Sequence, residues 1–258
     1  MNIVIPMAGV GSRFSQAGFT RPKPLIEVEA KPMYHWAANS LPLQQATRLI
    51  FVVRQDEFTD ELIQDIQLNY GQFEPRIKVL DRLTQGQAET VYLARDLLDL
   101  KQPTLIHNAD TAFQHMQLPD QDAFGGLVVF EAAPDDARWS FAKLHEQQPE
   151  RIIEVREKKI ISRFASTGTY YFADTAWLMY SIKQALSQQT TEQGEYYIAP
   201  LYNAAIDAGH YIQRLNCQNF TCLGTPEQLQ AALPHIPSLL SSQSHNDAHK
   251  HNPNQMAM

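Results

Sequence analysis

The chain has 258 residues, 44% of them apolar, a formal charge of −7 and two cysteines, Cys217 and Cys222. That length and apolar share suit one large α/β domain, and the acidity excludes a protein built around a nucleic-acid backbone. Two thiols exclude a disulfide framework or a thiolate metal centre, and no stretch reaches the about 20 apolar residues of a membrane-spanning helix.

The chain opens on an apolar run, Ile3-Val4-Ile5-Pro6-Met7, predicted as a strand over 2–6. It is strand-sized and has no basic lead, so no signal peptide is expected and the protein is expected to be cytoplasmic. The run enters a small-residue turn, Ala8-Gly9-Val10-Gly11-Ser12-Arg13-Phe14, and Arg21-Pro22-Lys23-Pro24-Leu25 follows shortly after. Such a turn leaves bare backbone N–H groups that suit anionic oxygen, and Arg13 and Lys23 add positive charge. A polyphosphate site is the physical reading. It is not a P-loop, because no Lys follows the second glycine, and not a dinucleotide fingerprint, because Phe14 stands where the third glycine belongs.

A helix is predicted from Pro32, at its first position, to about Leu41. A strand follows at 48–53, then a helix after Asp56 with Leu62, Ile63, Ile66 and Tyr70 on one face. Next come a strand at 76–80, a helix from Gln87 to Leu98 and a strand at 103–107. This alternation predicts βαβ units. The segment Thr84-Gln85-Gly86-Gln87-Ala88-Glu89-Thr90 opens the third helix. Gly86 would let backbone approach a flat base, and Gln85 and Gln87 offer donors and acceptors for a base edge.

His107-Asn108-Ala109-Asp110 follows the strand at 103–107. Ligands of open parallel sheets sit at carboxyl ends of strands, so Asp110 is expected on the rim of the Gly9–Arg13 turn. A carboxylate beside a polyphosphate calls for a divalent cation between them, and Mg²⁺ commonly takes one or two carboxylates with phosphates and waters.

Short strands are predicted at 125–132, 139–145, 151–156 and 166–173, helices at 174–187 and 195–208, a strand at 211–216 and a last helix from Pro226. The folded domain is expected to span 1–237. Residues 238–258, rich in Ser, Gln, His, Asn and Pro, are expected to form a disordered polar tail. Its histidines, His245, His249 and His251, are too irregularly spaced to suggest a metal site.

The pattern Pro6-Met7-Ala8-Gly9-x-Gly11-Ser12-Arg13-Phe14, with Pro22-Lys23-Pro24-Leu25, resembles the sugar-phosphate nucleotidylyltransferases. Asn108-x-Asp110 is similar to that family's Asn-Gly-Asp, with Ala109 for the glycine. Looser matches are Glu157-Lys158, Thr167-Gly168-Thr169-Tyr170-Tyr171-Phe172 and Gly194-Glu195-Tyr196-Tyr197-Ile198. The resemblance covers most of residues 1–233. It implies a Rossmann-like α/β fold, with a mixed, mainly parallel sheet flanked by helices and an antiparallel extension on the acceptor side.

The implied reaction moves a nucleotidyl group from a nucleoside triphosphate to a phosphorylated small molecule, with a sugar 1-phosphate leading. Pyrophosphate leaves, and the product would serve as an activated precursor for surface polysaccharide. Phosphocholine or another non-sugar phosphate is the alternative acceptor, and a nucleotide-binding homologue without turnover is another. A glycosyltransferase of similar sheet architecture would instead need an Asp-x-Asp on its metal.

In the implied scheme Arg13 grips the β and γ phosphates, Lys23 neutralises the α-phosphoryl group and Asp110 holds Mg²⁺. Ala8, Gly9, Gly11, Ser12, Gln85, Gly86, Gln87 and Asn108 bind the nucleotide. Glu157 and Glu195 hold acceptor hydroxyls, Gly168 allows close approach and Lys158 meets the acceptor phosphate. Tyr196-Tyr197-Ile198 could equally be core. No nucleic-acid or membrane partner is expected, and a homo-oligomer is left open.

One position departs from the pattern. Phe220-Thr221-Cys222-Leu223-Gly224-Thr225 resembles the family's Trp-x-Asp-x-Gly-Thr, so Cys222 falls where a second metal carboxylate is implied. A thiol is a poor ligand for a hard cation, so Asp110, phosphates and water alone are expected to hold it, with a replacement carboxylate or impaired catalysis as the alternatives.

Overall fold

A computed structural model describes residues 1–236. The expected tail, 238–258, lies outside them. The first strand, β1 (Asn2–Met7), is flanked in parallel by β4 (Arg48–Arg54) and β6 (Thr104–His107). All three are apolar runs buried on both faces, as strands at the centre of a doubly covered sheet must be. Ile3, Ile5, Leu49, Phe51 and Leu105 pack to one side, against Tyr34 and Ala38 of α2 (Met33–Asn39) and Leu62 and Ile66 of α3 (Thr59–Tyr70). Val4, Ile50, Val52 and Ile106 pack to the other. There they meet Val91 of α4 (Gln87–Leu93), Leu178 and Ile182 of α5 (Thr175–Ser187), and Tyr202 and Ala205 of α6 (Tyr202–Asp207).

The sheet has nine strands. Beyond β6 come β11 (Phe164–Phe172), β8 (Gly125–Glu131), β12 (Ile212–Asn216), β10 (Arg151–Glu157) and β9 (Ser140–Leu144), and β5 (Arg76–Leu80) closes the other edge beside β4. Only β10 and β11 run against the common direction. The sheet is therefore mixed and mainly parallel, with its antiparallel pairings in the second half, as expected.

Two small ribbons were not anticipated. One pairs β2 (Glu27–Val28) with β3 (Lys31–Pro32), so Pro32 ends a strand and precedes α2 rather than opening it. The other pairs β7 (Thr111–Gln114) with β13 (Gln218–Cys222). A third core cluster lies under these ribbons. Phe14 of α1 (Ser12–Gln16), Trp36, Ala112 and Leu223 meet Leu229 and Ala232 of α7 (Pro226–Ala232) there.

Two helices are shorter than their apolar spacing suggests. α4 stops at Leu93, and a 3₁₀ turn over Arg95–Leu97 carries the chain on while Ala94 and Leu98 stay buried. The helix expected over 195–208 begins as a 3₁₀ turn at Ala199–Leu201, because residues 194–198 are used elsewhere. No helix among the described residues is long and apolar enough to cross a membrane.

Candidate functional site

Residues after β1 meet those after β6 at the carboxyl ends of these two parallel strands. Ala8 is buried and Gly9 is open. Gly11 takes a left-handed conformation (φ 65°) that starts α1, and its carbonyl accepts the Phe14 N–H at 2.9 Å. Ser12 and Arg13 are exposed. Lys23 sits between Pro22, which is extended, and Pro24, inside a 3₁₀ turn anchored by buried Leu25. A Cβ added at Gly11 would lie 2.9 Å from the Lys23 Cβ. The glycine thus clears space for the lysine as well as supplying the turn.

Lys23 Nζ forms an ion pair with Asp110, and the two side chains are 22% and 24% exposed. Asp110 is fixed from behind, because its carbonyl accepts the Leu223 N–H at 2.7 Å, next to the pairing of Cys222 with Thr111. Burial disfavours the Asp110 carboxylate, while the Lys23 ammonium leads the contributions that favour it, and the group titrates below its usual range. Arg13 does not join this pair. It stands on α1 within electrostatic reach of Glu227 at the start of α7.

His107, at the end of β6, is fully buried. Its Nε2 lies 2.9 Å from the Thr111 carbonyl, which can only accept, so that nitrogen carries the proton. Nδ1 then accepts from the Thr169 hydroxyl at 2.8 Å. Burial pushes its pKa down to about 4, and the neutral ring braces the Asn108–Asp110 loop.

The Gln85–Asn108 side is cross-linked. Gln87 Nε2 donates to Asn108 Oδ1 at 2.6 Å, and the Asn108 N–H donates to the Gly168 carbonyl at 3.0 Å. Gly168 (φ 84°) sits where the β11–β8 register shifts between Ser166 and Tyr170, a bulge. A Cβ there would come within 2.2 Å of the Asn108 amide. Gly168 therefore makes room for Asn108. Gly86 is similar. At φ 125° it faces the backbone of Tyr196, and an added Cβ would lie 2.6 Å from that carbonyl oxygen. The Tyr196 backbone by itself requires a glycine there. Backbone bonds from Tyr196 N–H to Gln85 and from Ala88 N–H to Tyr196 hold residues 194–198 out of α6.

Glu89, which the sequence reading passed over, caps this turn. It accepts the Gln85 N–H and an Arg82 N–H, each at 2.6 Å. A carboxylate at the third position of a helix was the available signal.

On the far side, Glu157 accepts the Ser140 hydroxyl, and burial raises its pKa against that bond. Lys158 Nζ donates to the Tyr197 hydroxyl at 2.7 Å, and Tyr197 in turn bonds exposed Glu195. Tyr197 was another side chain not singled out. Tyr196 and Ile198 are core, and Tyr197 is the one of the three that meets Lys158.

The donor set suits a hard divalent cation only sparsely. No group of three or more potential metal ligands exists among the described residues. Cys222 does stand beside Asp110, since one point off Gly224 lies 3.2 Å from Asp110 Oδ2 and 3.3 Å from Cys222 Sγ. Burial, then the Asp110 charge, pushes its thiol pKa up to about 12, so it stays neutral. One carboxylate with substrate phosphates and waters still fits Mg²⁺. An Asp-x-Asp triplet does occur, Asp120-Gln121-Asp122, but it precedes β8 at the opposite end of the sheet, with Asp120 accepting from Gln213 at 2.8 Å.

The sequence matches the Nucleotidyl transferase family over residues 3–235. Among solved structures it resembles a nucleoside-diphosphate-sugar pyrophosphorylase from Vibrio cholerae RC9, with a TM-score of 0.80 and 32% identity, covering 90% of this chain and 99% of that one. A candidate glucose-1-phosphate thymidylyltransferase from Bacillus anthracis aligns with a TM-score of 0.71 and 20% identity, over 91% of this chain and 94% of that one. An inositol-1-phosphate CTP transferase from T. maritima aligns with a TM-score of 0.66 and 17% identity, over 88% and 90%. The search of curated proteins gave no match.

Proposed function

Because the chain belongs to the nucleotidyl transferase family, we propose that it transfers a nucleotidyl group from a nucleoside triphosphate to a sugar 1-phosphate. The observation that carries this reading is the meeting of Lys23 and Asp110 beside the Gly9–Arg13 turn. An oxygen of the acceptor phosphate bonds to the α-phosphorus while the bond from that phosphorus to the bridging oxygen of pyrophosphate breaks. The second pKa of a phosphate monoester is about 6, so the acceptor is already anionic near neutral pH and no general base is needed. The residues' work is alignment and charge stabilisation.

Lys23 neutralises charge at the α-phosphoryl group. Arg13, solvent-exposed on α1, reaches for the β and γ phosphates. Ala8, Gly9, Gly11 and Ser12 line their path, while Gln85, Gly86, Gln87 and Asn108 border the base. Glu157, Lys158, Gly168 and Glu195 form the acceptor side. Asp110 would hold Mg²⁺, whose charge screens the phosphates. The product of such a reaction is an activated precursor of the kind consumed in surface polysaccharide synthesis, and a cytoplasmic location follows from that use.

The test is pyrophosphate release measured across four triphosphates and a panel of sugar 1-phosphates, phosphocholine and inositol 1-phosphate. Release with one sugar 1-phosphate supports the reading, and release with none of the panel overturns it. The neutral Cys222 beside Asp110 favours one second reading, a nucleotide-binding protein without turnover. Calorimetric binding of a triphosphate with no pyrophosphate release would establish that instead.

A further inference from the structure

The loop of residues 132–139 joins β8 to β9. Its Arg138 guanidinium is 61% exposed and grips Asp136 with two parallel bonds, Nε to Oδ1 and Nη2 to Oδ2, both 2.7 Å. It also lies 5.6 Å over the Trp139 ring, and the Trp139 indole N–H donates to the same Asp136 at 2.8 Å.

Trp139 belongs to both sides. Its carbonyl accepts the Lys158 N–H at 2.9 Å, and the next residue, Ser140, bonds Glu157. Its ring meets Phe220 at 5.9 Å and Phe130 at 5.1 Å, and Phe220 lies two residues before Cys222, beside Asp110. Cys222 feels the charges of both Lys23 and Arg138. Arg138 thus stands on Trp139, whose ring meets Phe220 and whose carbonyl holds the Lys158 backbone.

Three carboxylates, Glu157, Glu192 and Glu195, act on Tyr197, while Lys158 is the ammonium bonded there. A phosphate monoester approaching this face carries nearly two negative charges near neutral pH. A guanidinium fork fits phosphate as it fits carboxylate, with two parallel N–H···O bonds.

We propose that Arg138 binds the acceptor's phosphate, and that Asp136 occupies the fork until the phosphate displaces it. This rests on the acceptor being a phosphorylated small molecule, as proposed above. Arg138 then acts with Lys158 to hold the attacking oxygen's group in line.

Two measurements test it. With the reacting pair from the pyrophosphate panel, Arg138→Gln is expected to raise the acceptor KM at least tenfold and leave the triphosphate KM unchanged. Arg138→Lys falls between, since an ammonium keeps the charge and loses the fork. Separately, inorganic phosphate is titrated into the free protein while Trp139 emission is followed, with Trp139→Phe as the blank. Departure of Asp136 from the fork changes the indole's surroundings, so the wild type gives a saturable response and Arg138→Gln does not. A wild-type-like acceptor KM in Arg138→Gln, or an effect on the triphosphate KM alone, overturns the assignment, as does an unchanged fluorescence titration. If no pair in the panel reacts, the transferase reading falls, and the titration still decides for or against Arg138.

Discussion

Lys23 owes its position to its neighbours in sequence and its charge partner to the fold. Two prolines set the local backbone, Gly11 yields the space, and Asp110 arrives from 87 residues away. Lys23→Ala is expected to lower turnover by roughly 10²–10³, the usual cost of losing one charge-stabilising group. Its thermal midpoint should stay near wild type, because the pair is partly exposed. Pyrophosphate release and a melting curve check both halves, and undiminished turnover would remove Lys23 from the chemistry.

Cys222→Asp sets a second carboxylate next to Asp110 and should lower the Mg²⁺ concentration that gives half-maximal rate. A Mg²⁺ titration that superimposes on wild type would mean that position 222 is out of reach of the ion. The Lys23–Asp110 encounter and the Cys222 substitution were both legible as motifs. The reasons for Gly86 and Gly168 were not, because the groups that crowd them, the Tyr196 backbone and the Asn108 amide, come from remote segments and leave no local mark.

Among the elements, the central strands were plain in the sequence because burial on both faces demands unbroken apolar runs. The ends of α4 and α6 were not, since the apolar spacing runs on past the helix, with Ala94 and Leu98 buried on either side of one 3₁₀ turn and Ala199 buried within the other. The β7–β13 ribbon escaped notice for a different reason. Its strands are four and five residues long and pair across about a hundred intervening positions, so neither carries a pattern by itself. Yet that ribbon brings Cys222 to Asp110. The start of α4 is the element most exposed to test. Gly86→Ala must accept both φ 125° and a Cβ 2.6 Å from the Tyr196 carbonyl. A destabilisation of roughly 2–3 kcal/mol is expected, read from urea unfolding. A variant as stable as wild type would show that residues 194–198 can shift away freely.

For the molecule as a whole, the fold class and the order of its parts followed from strand and helix alternation, and the mixed sheet followed from the run of short strands in the second half. Its acid stability should carry the signature of one residue. His107 stays neutral in the native state down to about pH 4, whereas in the unfolded chain it takes a proton near 6.5. The unfolded state therefore binds more protons in that window. Stability present above 6.5 is lost as pH falls toward 4, by on the order of 3 kcal/mol. Urea midpoints between pH 7 and 4.5 should fall more steeply for wild type than for His107→Gln. Parallel curves would assign the loss to other groups.

In the proposed reaction the reversed strand β11 would serve both substrates at once. Thr169 steadies the histidine behind the Asp110 loop, the Gly168 bulge seats Asn108, and the flanking residues pair with β6 on one edge and β8 on the other. A change made there to suit a new acceptor would be transmitted to the grip on the nucleotide. Efforts to retarget this protein would therefore do better on the 132–139 loop, whose alterations leave that shared spine alone.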